Sequence, residues 1–305
     1  MHTNVRNSIE KINLDHLLIA NLELGPHSSI KCGGNAQWGA YPTDFEELRA
    51  LISYAREHDI PLSILGGATN TLISDNGVEG LVILTNHLAR RHVQGEMFCV
   101  RSGCPLDKAI SQAIEDGLSG LELLGGIPGT VGGAIYGNSG ANGVHIGDLL
   151  YYVDYITFDG KLHRMQTHLD EFSYRRSPFT GRKDLIIYEA GFRLRPTTQT
   201  SEVRKRKDGV KKQRKQKGLY EYPSLGSIFK NPEGKKAAAL IDACGLKGYA
   251  IGGASISLSH ANIIVNTEGK ATSEQVRSLV EYIRETVQRE THITLEEEIH
   301  YLGRW

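Results

Sequence analysis

No run of apolar residues in the chain approaches the roughly 20 needed to span a bilayer. The longest are short stretches such as Gly80–Leu84, so no membrane insertion is expected. The first residues, MHTNVRNSIEKINLDH, lack the apolar block that a secretory signal requires, and the expected location is cytoplasmic. Cysteine is scarce. The four, at positions 32, 99, 104 and 244, form no CxxC pair and stand near no histidine ligand pattern. That argues against a disulfide framework and against a metal site, and suits a reducing compartment. Net charge is also absent, with Lys+Arg 35 against Asp+Glu 35, which argues against a whole-molecule field that gathers nucleic acid. A length of 305 residues excludes a small stapled scaffold.

Glycine is abundant: 34 residues, about 11% of the chain against a usual 7% or so, and clustered without a collagen-like period. Clustered glycine suggests backbone packed closely against a ligand. Around it the pattern alternates between helix and strand. Thr43-Asp44-Phe45-Glu46 reads as a helix start, with Phe45, Leu48, Leu51, Ile52 and Ala55 at helical spacing. Strands are predicted at 61–65, 81–84 and 98–101, and a helix from Pro105 to Gly117 with Leu106, Ala109, Ile110, Ala113 and Ile114 inward. Residues 117–147 are dense in glycine, too irregular for one helix and too apolar for a solvated linker. Strand-like stretches follow at 153–158, 162–165 and 184–189. Helices are predicted at 235–244 and 273–290, strands at 254–257, 262–265 and 295–302. Between these halves lies RKRKDGVKKQRKQK, residues 204–217, with nine Lys/Arg and one Asp; the rest of the chain is left with 26 basic against 34 acidic residues.

Five segments could carry chemistry. LGGATN (Leu65, Gly66, Gly67, Ala68, Thr69, Asn70) follows a strand, where glycine amides can converge on a diphosphate, although an isolated Gly-Gly is most simply a turn. It is neither a Rossmann GxGxxG nor a Walker loop. The block from Leu121 to Gly143 has too few side chains to make its own core, so a flat or extended ligand would fill the space; a tight loop against a sheet is the plainer alternative. In Tyr174-Arg175-Arg176-Ser177 an Arg beside aromatics can offer two parallel donors to a carboxylate. In YPSLGSIFKNP, residues 222–232, a Ser after Gly can project its hydroxyl, with no paired His to make it a hydrolase nucleophile. In LEEEI, strand alternation puts Glu296 and Glu298 on one face and Glu297 on the other.

Taken in order, GLSGLELLGGIPGTVGGAIYGNSGA, YRRSPF, YPSLGSIFKNP, GGASISLSHANIIVN and LEEEI resemble the UDP-N-acetylenolpyruvoylglucosamine reductase family, over about residues 25–303. The resemblance implies an α+β chain: a two-lobed FAD-binding fold of the vanillyl-alcohol-oxidase (PCMH) type, then a smaller α/β substrate-binding domain. The implied limits are 1–200 for the FAD region, with lobes at about 20–75 and 76–200, and 201–305 for the substrate domain, whose last strand, 295–302, returns to the active site. It also implies the activity: reduction of UDP-N-acetylglucosamine enolpyruvate to UDP-N-acetylmuramate for peptidoglycan, with NADPH as hydride donor and FAD as carrier. Hydride goes to C3 of the enolpyruvyl group and a proton from Ser227 to C2. Arg175 and Glu298 match the residues that stabilise the enol-type intermediate. LGGATN would hold the FAD diphosphate, and Gly126, Ile127, Pro128, Gly129, Thr130, Gly132, Gly133 and Ala134 would line the flavin. Arg214, Lys217 and Asn231 would grip the nucleotide phosphates and sugar.

Two departures from the family pattern are Thr69, where Ser is usual, and Gly137, where a larger side chain is. The segment from Phe179 to Phe192 is short and lacks the extra Tyr-bearing loop of one subgroup, which places the chain with the second. Two rival readings remain at this point. One is an FAD oxidase of the same fold acting on an alcohol or sugar; LEEEI and GSIFKNP count against it. The other is a nucleic-acid-binding protein using residues 204–217; that run lacks interleaved aromatics.

Overall fold

The computed structural model describes residues 14–305. It begins with the antiparallel pair β1 (Ile19–Glu23) and β2 (Asn35–Ala40). Helix α1 (Phe45–Glu57) follows, its first turn capped by the Asp44 carboxylate, which accepts from the Glu47 N–H at 3.0 Å. Next come β3 (Leu62–Leu65), β4 (Thr71–Ile73) and β5 (Val78–Leu84). The sheet order is β1-β2-β5-β3, with β5 parallel to both neighbours. Leu48, Leu51, Ile52 and Ala55 of α1 are buried against it.

The second lobe contains β6 (Arg91–Gln94), β7 (Met97–Arg101), α2 (Leu106–Glu115), β8 (Leu118–Ser119), α3 (Val131–Tyr136), the short pair β9 (Gly140–Ala141) and β10 (Val144–His145), β11 (Leu150–Thr157), β12 (Leu162–Gln166), β13 (Leu185–Arg193) and β14 (Arg195–Pro196). Five of these strands make an antiparallel sheet in the order β12-β11-β13-β7-β6. All five apolar positions expected on α2 are buried, in a core with Phe98, Phe179 and Phe192.

Helix α4 (Thr200–Gln216) leads to the third unit: β15 (Ser224–Ser227), α5 (Ala237–Ala243), β16 (Ala250–Ile251), β17 (Ala254–Ile256), β18 (Ile263–Val265), α6 (Ser273–Thr291) and β19 (His300–Leu302). Its antiparallel sheet runs β15-β18-β17-β16. The capping box of Thr272 and Gln275 opens α6, whose Val276, Leu279, Val280, Ile283 and Val287 are buried as the spacing predicts. Ile30, Cys32 and Leu72 of the first lobe enter the same core, joining it to the third unit.

Three expected boundaries need correction. A lobe division at 75/76 would cut the first sheet, because β5 lies between β2 and β3; the division falls after β5. A domain start at 201 would detach α4, yet α4 packs on the second lobe. Lys207 and Lys211 pair with Asp107 at 3.0 and 2.8 Å, Arg206 with Glu122 at 2.8 Å, and Arg204 with Glu115 at 3.2 Å. The basic run therefore spends much of its charge on acids of one neighbour. Finally, 295–302 is not one strand. Its first half bridges the segment after β15, at Phe229 and Glu297, and its second half, β19, runs parallel to β4.

Asp107 holds this junction. Burial works to raise its pKa, but hydrogen bonds from Lys211, the Gly126 N–H and Lys207 win and hold the carboxyl below its ordinary range. Its contribution to stability is present above the unfolded-state pKa and lost as pH falls through the folded one. Asp107→Ala is expected to cost about 1–3 kcal/mol in urea unfolding, since the buried Lys207 ammonium loses its acceptor. An unmoved midpoint would mean that Lys207 is neutralised in another way.

Candidate active site

Two glycine-rich segments from different lobes lie back to back. A Cβ on Gly66 would sit 2.5 Å from Thr130 Oγ1, one on Gly67 would sit 3.0 Å from the Gly129 Cα, and one on Gly129 would sit 2.7 Å from Thr69 Oγ1. Gly129 also has φ +102, a conformation that L side chains rarely adopt. In the loop after β3, Ala68 takes φ 45, and its carbonyl accepts from the Ser29 N–H at 3.1 Å. The N–H groups of Gly67, Ala68, Thr69 and Asn70 meet no acceptor among the described residues. Such a row of amides suits an anionic diphosphate. On the facing segment, Thr130 caps α3 by accepting from the Gly133 N–H at 3.3 Å, and Gly132 is packed on Ser102. Gly126 donates to Asp107 at 2.9 Å, and its carbonyl accepts from the Tyr220 hydroxyl. At Gly137, φ is −93 and an added Cβ would come no nearer than 3.8 Å to another atom, so that departure leaves the backbone undisturbed.

Arg175 sits at the tip of a tight turn closed by two backbone hydrogen bonds between Ser173 and Arg176, of 3.0 and 3.1 Å, and takes φ 56 itself. A left-handed Arg is held there by its surroundings. Asn138, buried, donates to the Ser173 carbonyl at 2.8 Å and accepts from the Gly147 N–H at 3.1 Å. Ser177, also buried, donates to the Tyr136 carbonyl at 2.9 Å. The turn is thus tied to α3 and to the glycine-rich segment that follows it.

In the third unit, Ser227 is the last residue of β15. The Ile228 N–H donates to the Asn262 carbonyl, and the Asn262 carboxamide brackets Phe229, accepting at 3.0 Å and donating at 2.8 Å. The Ile228 carbonyl accepts from the Glu298 N–H at 2.7 Å. Ser227 is therefore one residue from the strand contact that holds Glu298. The residue is half-buried. Gly226 beside it has φ +74 and open space where a Cβ would stand.

Arg175 Nε lies 2.5 Å from Glu298 Oε1, the two side chains 23% and 13% exposed. The Nε–H is not aimed at that oxygen: it is buried and aligned on no acceptor. Charge is close, but the directional donor is uncommitted. Burial raises the Glu298 pKa, and the opposing pull of Arg175 and Lys230 does not cancel it. The neighbouring acids of LEEEI pair elsewhere, Glu296 with Lys230 at 2.5 Å and Glu297 with Arg284 at 2.7 Å.

Of the expected substrate residues, Asn231 alone has a hydrogen bond to a neighbour of Arg175, through Tyr174. Arg214 donates to the Tyr220 hydroxyl at 3.0 Å, and its Cδ would lie 3.3 Å from a Cβ on Gly126, so it stands at the cradle. Lys217 is exposed at the end of α4. Asn231 donates its backbone N–H to the Tyr174 hydroxyl at 3.3 Å, and its side-chain oxygen accepts from the Ala237 N–H at 3.0 Å, which leaves its NH2 available. Asn138, Asn262 and Tyr174 also hold parts of the site, which the motifs alone did not reveal. Their signal is slight, since each stands inside a quoted motif with no chemistry of its own.

Residues 218–302 match the family model described as UDP-N-acetylenolpyruvoylglucosamine reductase, C-terminal domain, and residues 37–166 match that of the FAD binding domain. The reductase of Exiguobacterium sibiricum is 37% identical over 286 residues, 94% of this chain and 93% of the relative. The chain belongs to the UDP-N-acetylenolpyruvoylglucosamine reductase family. The reductase of Pediococcus pentosaceus is 33% identical over 280 residues, 92% of each chain. The crystal structure of the reductase from Thermus caldophilus matches with TM-score 0.77 at 33% identity, over 93% of this chain and 98% of that one. The fold is accordingly the α+β type expected, an FAD-binding domain followed by the reductase family's own C-terminal domain. The family implies FAD, and the glycine cradle with its row of unpaired amides fits that group. Among the described residues no group of three His, Cys, Asp or Glu is placed to hold a metal.

Proposed function

We propose that this chain reduces UDP-N-acetylglucosamine enolpyruvate to UDP-N-acetylmuramate, with NADPH as hydride donor, in peptidoglycan synthesis. The observation that carries the reading is the Arg175–Glu298 pair, drawn together from the second lobe and the third unit at 2.5 Å and joined through Ile228 to the strand bearing Ser227. When bound, FAD reduced by NADPH supplies the hydride that reaches C3. Addition there builds negative charge at C2 and into the substrate carboxylate. Arg175 meets that charge with a buried donor aligned on no protein acceptor. Glu298, its protonated form favoured by burial, donates a hydrogen bond where an ionised carboxylate would repel. Ser227 delivers the proton to C2.

In this proposal the amides of Gly67–Asn70 hold the FAD diphosphate, and Gly126–Ala134 line the flavin. Arg214, Lys217 and Asn231 bind the substrate's nucleotide and sugar. The units are a first lobe through β5, a second lobe that includes α4, and a substrate domain from about residue 218. No described helix is long and apolar enough to cross a membrane, and we place the reaction in the cytoplasm, where the nucleotide sugar and NADPH are found. The pairing of α4 with Asp107, Glu115 and Glu122 supports a chain with no nucleic-acid role.

The reading is tested by following NADPH and oxygen together. Adding the enolpyruvyl substrate is expected to drive NADPH consumption with no oxygen uptake; oxygen uptake matching NADPH loss would instead indicate an oxidase. Lys217→Ala is expected to raise KM about tenfold with little change in kcat, as for loss of one charged hydrogen bond in binding. An unchanged KM removes Lys217 from the site.

A further inference from the structure

Both backbone polar groups of Glu298 are fixed, from opposite sides. Its N–H donates to the Ile228 carbonyl of the substrate domain at 2.7 Å. Its carbonyl accepts from the Asn70 side-chain Nδ2 at 2.9 Å. Asn70 closes a second bond, since its own carbonyl accepts from the His300 N–H at 2.9 Å. Between these two bonds Ile299 is buried in the third-unit core. Immediately beyond them the chain changes partner and β19 runs along β4, His300 beside Thr71. The Asn70 clamp thus lies where the C-terminal segment passes from the substrate domain to the cofactor lobe. One side-chain N–H of Asn70 is committed to Glu298, and its second side-chain N–H and its backbone N–H remain as donors.

We propose that Asn70 is a positioning residue for Glu298, through which the loop that cradles the cofactor sets where the acid stands relative to Arg175. The inference rests on the function proposed above. It follows from geometry: with the main chain of Glu298 pinned at both ends, only side-chain rotations separate its carboxyl from Arg175 Nε at 2.5 Å. Without the Asn70 amide one end is released. The Glu298 carbonyl must then find water, and the carboxyl loses its register against Arg175 and Ser227. The bond to the His300 N–H is main-chain and survives substitution, so the segment stays attached while its aim loosens.

The test uses purified holoenzyme carrying Asn70→Ala, with bound flavin measured by absorbance and each half-reaction followed anaerobically. Reoxidation is expected to lose more than FAD content or reduction by NADPH do, because the Asn70 backbone N–H that faces the cofactor is kept. Reoxidation by the enolpyruvyl substrate is expected to slow about 30-fold, as a small misplacement at a reacting centre does. Its pH profile is expected to shift, because Glu298 no longer sits at a fixed distance from Arg175. Where alanine impairs folding, Asn70→Ser, which keeps a shorter donor, is expected to give the same split at smaller amplitude. Loss of FAD with normal reoxidation of the flavin that remains would overturn the proposal and make Asn70 a cofactor contact. Equal slowing of both half-reactions would overturn it in favour of a merely structural role. A wild-type enzyme that NADPH reduces but the enolpyruvyl compound does not reoxidise would remove the proposed function itself. A normal wild type beside an unaffected Asn70→Ala removes only Asn70.

Discussion

Ser227→Ala is expected to leave reduction of the flavin by NADPH within a fewfold of wild type and to slow reoxidation by the enolpyruvyl substrate about 10²- to 10⁴-fold, the range for loss of a general acid. The asymmetry is the informative part, because proton delivery to C2 belongs only to the second half-reaction. The serine is suited to that single task. It is half-buried, and the turn at Gly226 leaves open space beside it. Asn262 holds the neighbouring Ile228 and Phe229 rigidly, so removing one oxygen has no reason to disturb the fold. Stopped-flow measurement of the two halves separately is the check; equal losses in both would deny Ser227 its role.

Arg175→Ala is expected to slow the same half-reaction about 10²- to 10³-fold, as loss of one preorganised charge donor does. Lysine is expected to restore little, since a point charge cannot reproduce the directed guanidinium N–H. The substitution also acts on Glu298. Burial raises the Glu298 pKa, and Arg175 is the largest influence holding it down. With protonated Glu298 as the working form, reoxidation is full below that pKa and declines as pH rises through it. Removing Arg175 raises the pKa further, so the declining limb is expected to move to higher pH. In Glu298→Gln, which cannot ionise, the limb is expected to disappear. Stability follows the same sign: the contribution of a raised carboxyl is present at low pH and lost as pH climbs through the folded value. A limb that stays in place in both variants would assign it to another group.

Local pattern carried much of the fold. The spacing of Leu106, Ala109, Ile110, Ala113 and Ile114 predicts α2 and its buried stripe, and Thr272 with Gln275 marks the start of α6. Pattern failed where pairing is distant. That β5 inserts between β2 and β3 depends on parallel crossovers with no local signature, and so the lobe boundary was misplaced. The basic helix reads as a charged solvated run because its acids, Asp107, Glu115 and Glu122, lie about 80 to 100 residues away along the chain. The segment 117–147 resists periodicity for a similar reason. Some of its backbone bonds leave the segment, the Val131 and Gly132 N–H groups going to the Cys104 and Ser102 carbonyls.

The candidate site divides the same way. Arg175, Ser227 and Glu298 were nameable from motifs, and two of them meet at 2.5 Å. The asparagine contacts around them were not: the motifs do not single out Asn138, and they name Asn70 only for the cofactor. Asn138 reaches Ser173 across 35 residues and Asn70 reaches Glu298 across 228, and nothing in a linear string reports where a carboxamide will point.

The most direct test of the account is an anaerobic titration of the purified protein, reduced with one equivalent of NADPH and then given one equivalent of UDP-N-acetylglucosamine enolpyruvate. The flavin colour is expected to bleach and then return in full, mole for mole, with UDP-N-acetylmuramate as product. A reduced protein that stays bleached until air is admitted would contradict it.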